Sequence, residues 1–383
     1  MSVPPPTPNP DSDQDLVVVP KRRSRKKRSG FGSWLRTLFV ALILSIILKL
    51  FFLEAFIIPS DSMAGTLQNG DFILVNKLHY GPRTPQTILQ IPLTHQSMPG
   101  LKKTYSDLIK LPVRRLPGYS RIKRGDVLVF NFPPDSKHPL SQKTHYIKRC
   151  VALAGDTVKI VDTEVFINEK KQDTTGFNLT FQYEVGGKSP QKESVLKNAN
   201  IPFQVNGDAY RFWASPVQAA KLSKDKRLVP DPSKKPLLSV SNNGVRNPHV
   251  YPQSDRLPWN EDFYGPMVVP KKGMVMSMVR FPDNVALYSE LIRKYESPKS
   301  KVEVINNQLI IDGVLVERYT FKNDYYFVMG DSRHNSSDSR YWGLVPGNHI
   351  VGKAAMILFS TNKDQSWLNI SKFRKKRWFK KIK

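Results

Sequence analysis

At 383 residues, with 40 % apolar side chains, the chain is long enough to bury the core of one large or two modest domains, which excludes a disordered protein. Lys and Arg outnumber Asp and Glu by 59 to 32, a formal charge of +27, so either nucleic acid or an anionic membrane surface suits the balance and the placement of the charge must decide. The single cysteine, Cys150, excludes an intramolecular disulfide and a cysteine-based metal cluster, and reads as core filler.

Residues 1–20 are rich in Pro, Asp and Ser without apolar periodicity, and a basic block follows from Lys21 to Arg28, so 1–33 is expected to be a disordered basic tail. Trp34–Leu53 (WLRTLFVALILSIILKLFFL) is close to the roughly 20 residues that cross a bilayer core as a helix. Lys49 lies near its distal end, where a lysine can snorkel to the interface. Cations crowd the N-terminal flank, which places residues 1–33 in the cytoplasm and the rest of the chain outside. A cleavable signal peptide fits less well, because the leader is too long and Pro59-Ser60-Asp61 is a poor cleavage context.

Beyond the span, short β-branched runs bounded by Gly, Asp and Asn fall at Asp71–Asn76, Asp126–Asn131, His145–Leu153, Thr157–Val161, Glu164–Asn168, Gln308–Ile311 and His349–Phe359. Asp312-Gly313 separates the alternating runs NQLII and VLVERY and predicts a hairpin. The fold class is therefore mainly β: an antiparallel body over 54–172 and 259–360, preceded by one transmembrane helix at 34–53. Gly81–Arg121 and 173–258 read as insertions, the second as an inserted subdomain outside the core. Asn284–Tyr295 places Leu287, Leu291 and Tyr295 at helical spacing for packing, with Asp283 as N-cap. Residues 361–383 form a basic tail with interleaved Trp and Phe, which fits an interfacial membrane helix or a merely solvated end.

Ser60 and Ser62 lie in Ile58-Pro59-Ser60-Asp61-Ser62-Met63, close behind the span. A serine attacks a carbonyl only when a base takes its proton. The seven histidines include no HExxH pair and none sits in a triad motif. A lysine serves instead when burial lowers its pKa, and Lys148 lies in the largely apolar run Tyr146–Leu153. By itself, such a lysine is more often an exposed strand residue.

PSDSM (59–63), GDVLVF (125–130), YIKR (146–149), Gly155-Asp156 and GDSRHNSSDSRYWG (330–343) occur in the order of the conserved boxes of bacterial type I signal peptidase, which this chain resembles over about 52–80, 122–168 and 259–359. The resemblance implies Ser62 as nucleophile, Lys148 as general base, the Ser60 hydroxyl and Ser62 N–H as oxyanion hole, and Ser336 as the residue that orients the lysine. Asp338 and Arg340 match a bracing pair, although such a pair also occurs in solvated turns. No metal and no cofactor is implied. The departures are Ala64-Gly65, where a Pro is usual, and Ser332 and His334, where Asn and Asp are common; they bear on the stiffness of the turn after Ser62 and on pH sensitivity.

Implied in turn are cleavage of signal peptides from exported preproteins after Ala-X-Ala-like sites, a single-pass place in the bacterial cytoplasmic (inner) membrane with the catalytic domain on the periplasmic side, and the lipid bilayer as partner, with a translocation channel as a further candidate. A repressor-type serine–lysine protease would need a DNA-binding domain in place of the span. A nucleic-acid-binding protein or an inactive scaffold is the rival of another class, but both basic clusters flank membrane elements and no nucleic-acid motif is visible.

Overall fold

The computed structural model describes residues 30–87, 111–229, 245–281, 283–362 and 369–383, with isolated positions at 1, 3, 91, 94, 96, 100–101, 103–106, 108–109 and 237–238. The basic block Lys21–Arg28, and most of the tail expected to be disordered, lie outside the described residues.

The chain divides into Met1–Ser45 and Ile46–Lys383. In the first, residues 30–45 are helical. The helix starts at Gly30, ahead of the expected Trp34; its regular α-turns end at Ile47, and a π-turn over Leu48–Phe52 leads into β1 (Leu53–Ile57). Leu53 is thus a strand residue, not the end of the span. The run Gly30–Phe52 has 23 residues, a mean hydropathy of 2.3 and no buried side chain in its most apolar stretch. At about 1.5 Å per residue it reaches about 35 Å, enough for a hydrocarbon core of about 30 Å.

The second unit is built on an antiparallel sheet. β2 (Asp71–Asn76), β3 (Val127–Asn131) and β4 (His145–Ala152) join β1 and the strands Tyr325–Met329, Val345–Pro346 and Ile350–Ser360. Their spatial order is β1, β2, Ile350–Ser360, β3, β4, Tyr325–Met329, Val345–Pro346. β2 alternates buried and half-buried residues, whereas β3 is buried along its whole length, as expected at the centre of the sheet. Ile58, Met63, Leu67, Ile73, Val75, Val127 and Val129 form one core against this sheet, and a larger one fills the space between it and the Thr157–Val161 sheet. Cys150 is a free, fully buried thiol in a third cluster with Tyr80 and Phe130.

Gln308–Ile311 pairs with Val314–Leu315 across Asp312-Gly313, both at positive φ as a tight hairpin turn requires. VLVERY does not continue as one strand: Arg318–Thr320 turns away to pair with Val275–Ser277. The helix runs from Asp283 to Leu291 and ends in a π-turn, with Leu287 and Leu291 buried.

Within the inserted region 173–258, Phe181–Gly186, Phe203–Asn206, Ala209–Ala214 and Leu237–Leu238 form a sheet. Two helices, Pro190–Asn198 and Pro216–Leu222, accompany it, and Leu196, Tyr210 and Phe212 lie in its own core. One expectation is corrected: among the described residues of the tail no interfacial helix forms. Residues 369–383 make two 3-10 turns and a short strand, Lys380–Lys381, paired to Ile350–Ser360.

Candidate active site

β1 and β2 are joined by a loop whose ends are pinned together: the Ile58 N–H donates to the Asp71 carbonyl and the Gly70 N–H to the Ile58 carbonyl, both at 2.9 Å. Met63 and Leu67 are fully buried and fasten the loop to the core, which leaves Ser62 half-buried and Ser60 exposed. The turn after Ser62 is held by glycine rather than proline. Gly65 has φ +97, and a Cβ there would stand 2.0 Å from the Asn178 carbonyl oxygen, so the inserted region closes onto this loop only because no side chain is present.

Lys148 lies on β4, opposite Leu128 of β3, with 4 % of its surface exposed. Its Nζ is 2.7 Å from Ser62 Oγ and donates to the Ile147 carbonyl at 3.0 Å. Burial pushes its pKa down from 10.5 to about 8, against the opposing pull of Asp338 and Asp331. A neutral amine is therefore accessible near physiological pH, and in that state it can accept the Ser62 proton along the same contact.

Ser60 Oγ lies 3.3 Å from Ser62 Oγ. Among the described residues no acceptor takes the Ser62 N–H, which leaves it available to an incoming oxygen. Ser336 is buried beside the Gly330 backbone: a Cβ on Gly330 would meet Ser336 Oγ at 2.2 Å and the Ser62 carbonyl at 2.4 Å. Its hydroxyl makes no well-formed hydrogen bond and none to Lys148, whose partners are Ser62 and Ile147; it faces Asp338 closely enough to favour the ionised carboxylate.

Asp338 and Arg340 are buried and paired through Nε and a second guanidinium nitrogen, both at 2.9 Å, so they are not a solvated turn pair. Burial alone would raise the Asp338 carboxyl, but Arg340 and the Gly330 N–H, at 3.0 Å, outweigh it and hold the group below the usual carboxylate range. Arg340 also donates to the Arg333 carbonyl, so the pair fixes both limbs of the 330–340 loop.

A second buried pair carries no assigned role in the sequence reading. Arg149 grips Asp331 through two bonds, at 2.8 and 2.7 Å, and the Thr66 hydroxyl donates to the same carboxylate at 2.6 Å. Strand alternation puts Arg149 on the face opposite Lys148, so this pair joins β4, the Ser62 loop and the 330–340 loop from behind. The available signal was position: Arg149 adjoins Lys148 inside YIKR, and Asp331 is the second residue of the last motif. His334 is likewise structural, with Nδ1 accepting from the Gln182 N–H at 3.2 Å and Nε2 at 2.8 Å from Asp262.

The family described as signal peptidase, peptidase S26, matches residues 31–226 and 292–359. A signal peptidase I of Helicobacter pylori strain J99 is 28 % identical over 333 residues, 86 % of this chain and 81 % of the relative. One of Aquifex aeolicus is 26 % identical over 325 residues, 84 % and 82 % of the two chains, and one of Haemophilus influenzae is 28 % identical over 361 residues, 93 % and 77 %. With most of its length matched and a hydroxyl–amine pair at its centre, this chain belongs to the signal peptidase family, peptidase S26, as a serine protease of the bacterial type I kind that removes signal peptides from preproteins.

Proposed function

We propose that the enzyme cuts with a Ser62/Lys148 dyad, after small residues of the Ala-X-Ala kind, at the outer surface of the bacterial cytoplasmic membrane. The observation that carries this reading is the 2.7 Å contact between a buried, low-pKa lysine and Ser62 Oγ. In the first half-reaction, Ser62 Oγ attacks the scissile carbonyl carbon as its proton passes to Lys148 Nζ. The carbonyl oxygen gains charge and accepts hydrogen bonds from the Ser62 N–H and the Ser60 hydroxyl, each such donor being worth about 3–4 kcal/mol at the transition state. As the C–N bond breaks, Lys148 returns the proton to the leaving amine, which leaves an ester on Ser62. Water, deprotonated by the again neutral Lys148, then hydrolyses that ester.

Ser336, Asp338 and Arg340 act by shaping the 330–340 loop around the dyad. The cation-rich segment before the apolar helix supports an orientation with the N-terminus in the cytoplasm and the body outside. Anchored there, Ser62 meets cleavage sites that the substrates' own apolar segments hold at the same surface, which raises their effective concentration. The test is cleavage of a preprotein in detergent by wild type, Ser62→Ala and Lys148→Ala, with N-terminal sequencing of the product. Cutting by wild type alone, after a small residue, is the expected outcome; cutting by both variants sinks the dyad.

A further inference from the structure

The family match ends at residue 359, yet residues 369–383 bind tightly to the loop that carries Ser62. Arg377 reaches the Asp71 carboxylate at 2.5 and 3.1 Å and the Thr66 carbonyl at 3.0 Å. Asp71 is fully buried and also accepts from the Gln68 N–H at 2.8 Å, so the ion pair closes the far end of the loop. Arg374 donates to the Gln68 side-chain oxygen at 2.7 Å and to the Asn69 carbonyl. Among the described residues the Thr66 and Asn69 carbonyls accept no main-chain N–H, and the tail arginines supply their donors. Ile382 shares a core with Ile58, Met63 and Leu67, and the Lys383 main-chain oxygen accepts from Arg149 at 3.0 Å.

A buried carboxylate with a largely buried arginine, and loop carbonyls met by fixed guanidinium forks, describe a built contact and not a solvated basic end. We propose that Arg377, seconded by Arg374, is a positioning residue for catalysis: the tail clamps the Thr66–Asp71 limb so that Ser62 Oγ stays within hydrogen-bond reach of Lys148. This rests on the reading of Ser62 and Lys148 as the dyad.

The full-length enzyme in detergent is assayed on one preprotein as wild type, Arg377→Gln, Arg377→Lys, Arg374→Gln and Ser62→Ala, with melting curves and kcat normalised to the folded fraction. Misplacing a nucleophile by about 1 Å can cost on the order of 100-fold, so Arg377→Gln is expected to lower kcat by about 10- to 100-fold with KM within about twofold. Arg377→Lys recovers part of that loss, because an ammonium can pair with Asp71 without also spanning to Thr66. A kcat for Arg377→Gln within about twofold of wild type overturns the proposal, as does a loss that disappears once the folded fraction is counted. If Arg377→Gln does not fold, Arg374→Gln decides: a lowered kcat supports the clamp and a wild-type kcat refutes it. If Ser62→Ala still cuts, the dyad reading falls and the clamp with it; if Ser62→Ala is dead while Arg377→Gln is unimpaired, only the clamp falls.

Discussion

Replacing Lys148 with methionine separates what this side chain costs the fold from what it gives the reaction. Holding the ammonium in its buried position lowers its pKa from 10.5 to about 8, which corresponds to a penalty of about 3 kcal/mol on the charged form. Methionine has nearly the same shape and no charge, so Lys148→Met removes the penalty, while Ser62, half-buried, can turn to water. At pH 7 the variant is expected to be more stable by up to about 3 kcal/mol, a rise in unfolding temperature of about 4 °C for a chain of this size. Between pH 8 and 10.5 the unfolded lysine binds a proton that the folded one has lost, so wild-type stability rises with pH through that window. The advantage of the variant is therefore full below about pH 8 and fades towards pH 10.5. Denaturant titrations in detergent at pH 7 and pH 10 read both quantities. A variant less stable than wild type at pH 7, or a difference that does not change with pH, refutes the reasoning.

Asp331→Asn strips a fully buried arginine of its counter-charge, and breaking such a pair costs about 3–5 kcal/mol; equilibrium unfolding should show a loss of that order. Gly65→Ala puts a side chain at φ +97 against the Asn178 carbonyl, costing about 1–2 kcal/mol for the backbone alone and more for the clash. Its kcat should fall with the displaced Ser62 loop, and wild-type kcat and melting temperature would show that the inserted region is not held there.

What could be read from the sequence was what neighbouring residues decide. Asp71–Asn76 and Thr157–Val161 are strands at the expected bounds because alternation alone sets them. The Asp312-Gly313 turn forms because its two residues tolerate positive φ. The inserted region stands out by composition, but its elements do not: Ala209–Ala214 alternates half-buried and buried residues, and Ser215-Pro216 with Gln218 is a capping box, yet Lys, Ser and Pro surround both. The fixing of the tail is hidden for another reason. Its mixture of cations and aromatics fits a membrane face, whereas its partners, Asp71 and the Thr66 carbonyl, lie some 300 positions away in the chain, and no local pattern reports such a pairing. Of the proposed site, the motifs pointed to Ser62 and Lys148, which the fold sets 2.7 Å apart, but the Arg149–Asp331 brace appears only once β4 sets Lys148 and Arg149 on opposite faces.

The central claim is that a neutral Lys148 takes the Ser62 proton, and the pH dependence of kcat/KM on a single preprotein measures it. With the lysine titrating at about 8, the rate constant should rise about tenfold per pH unit from pH 6 and level off above pH 8. A profile that is flat, or that falls as pH rises across this range, would contradict the account.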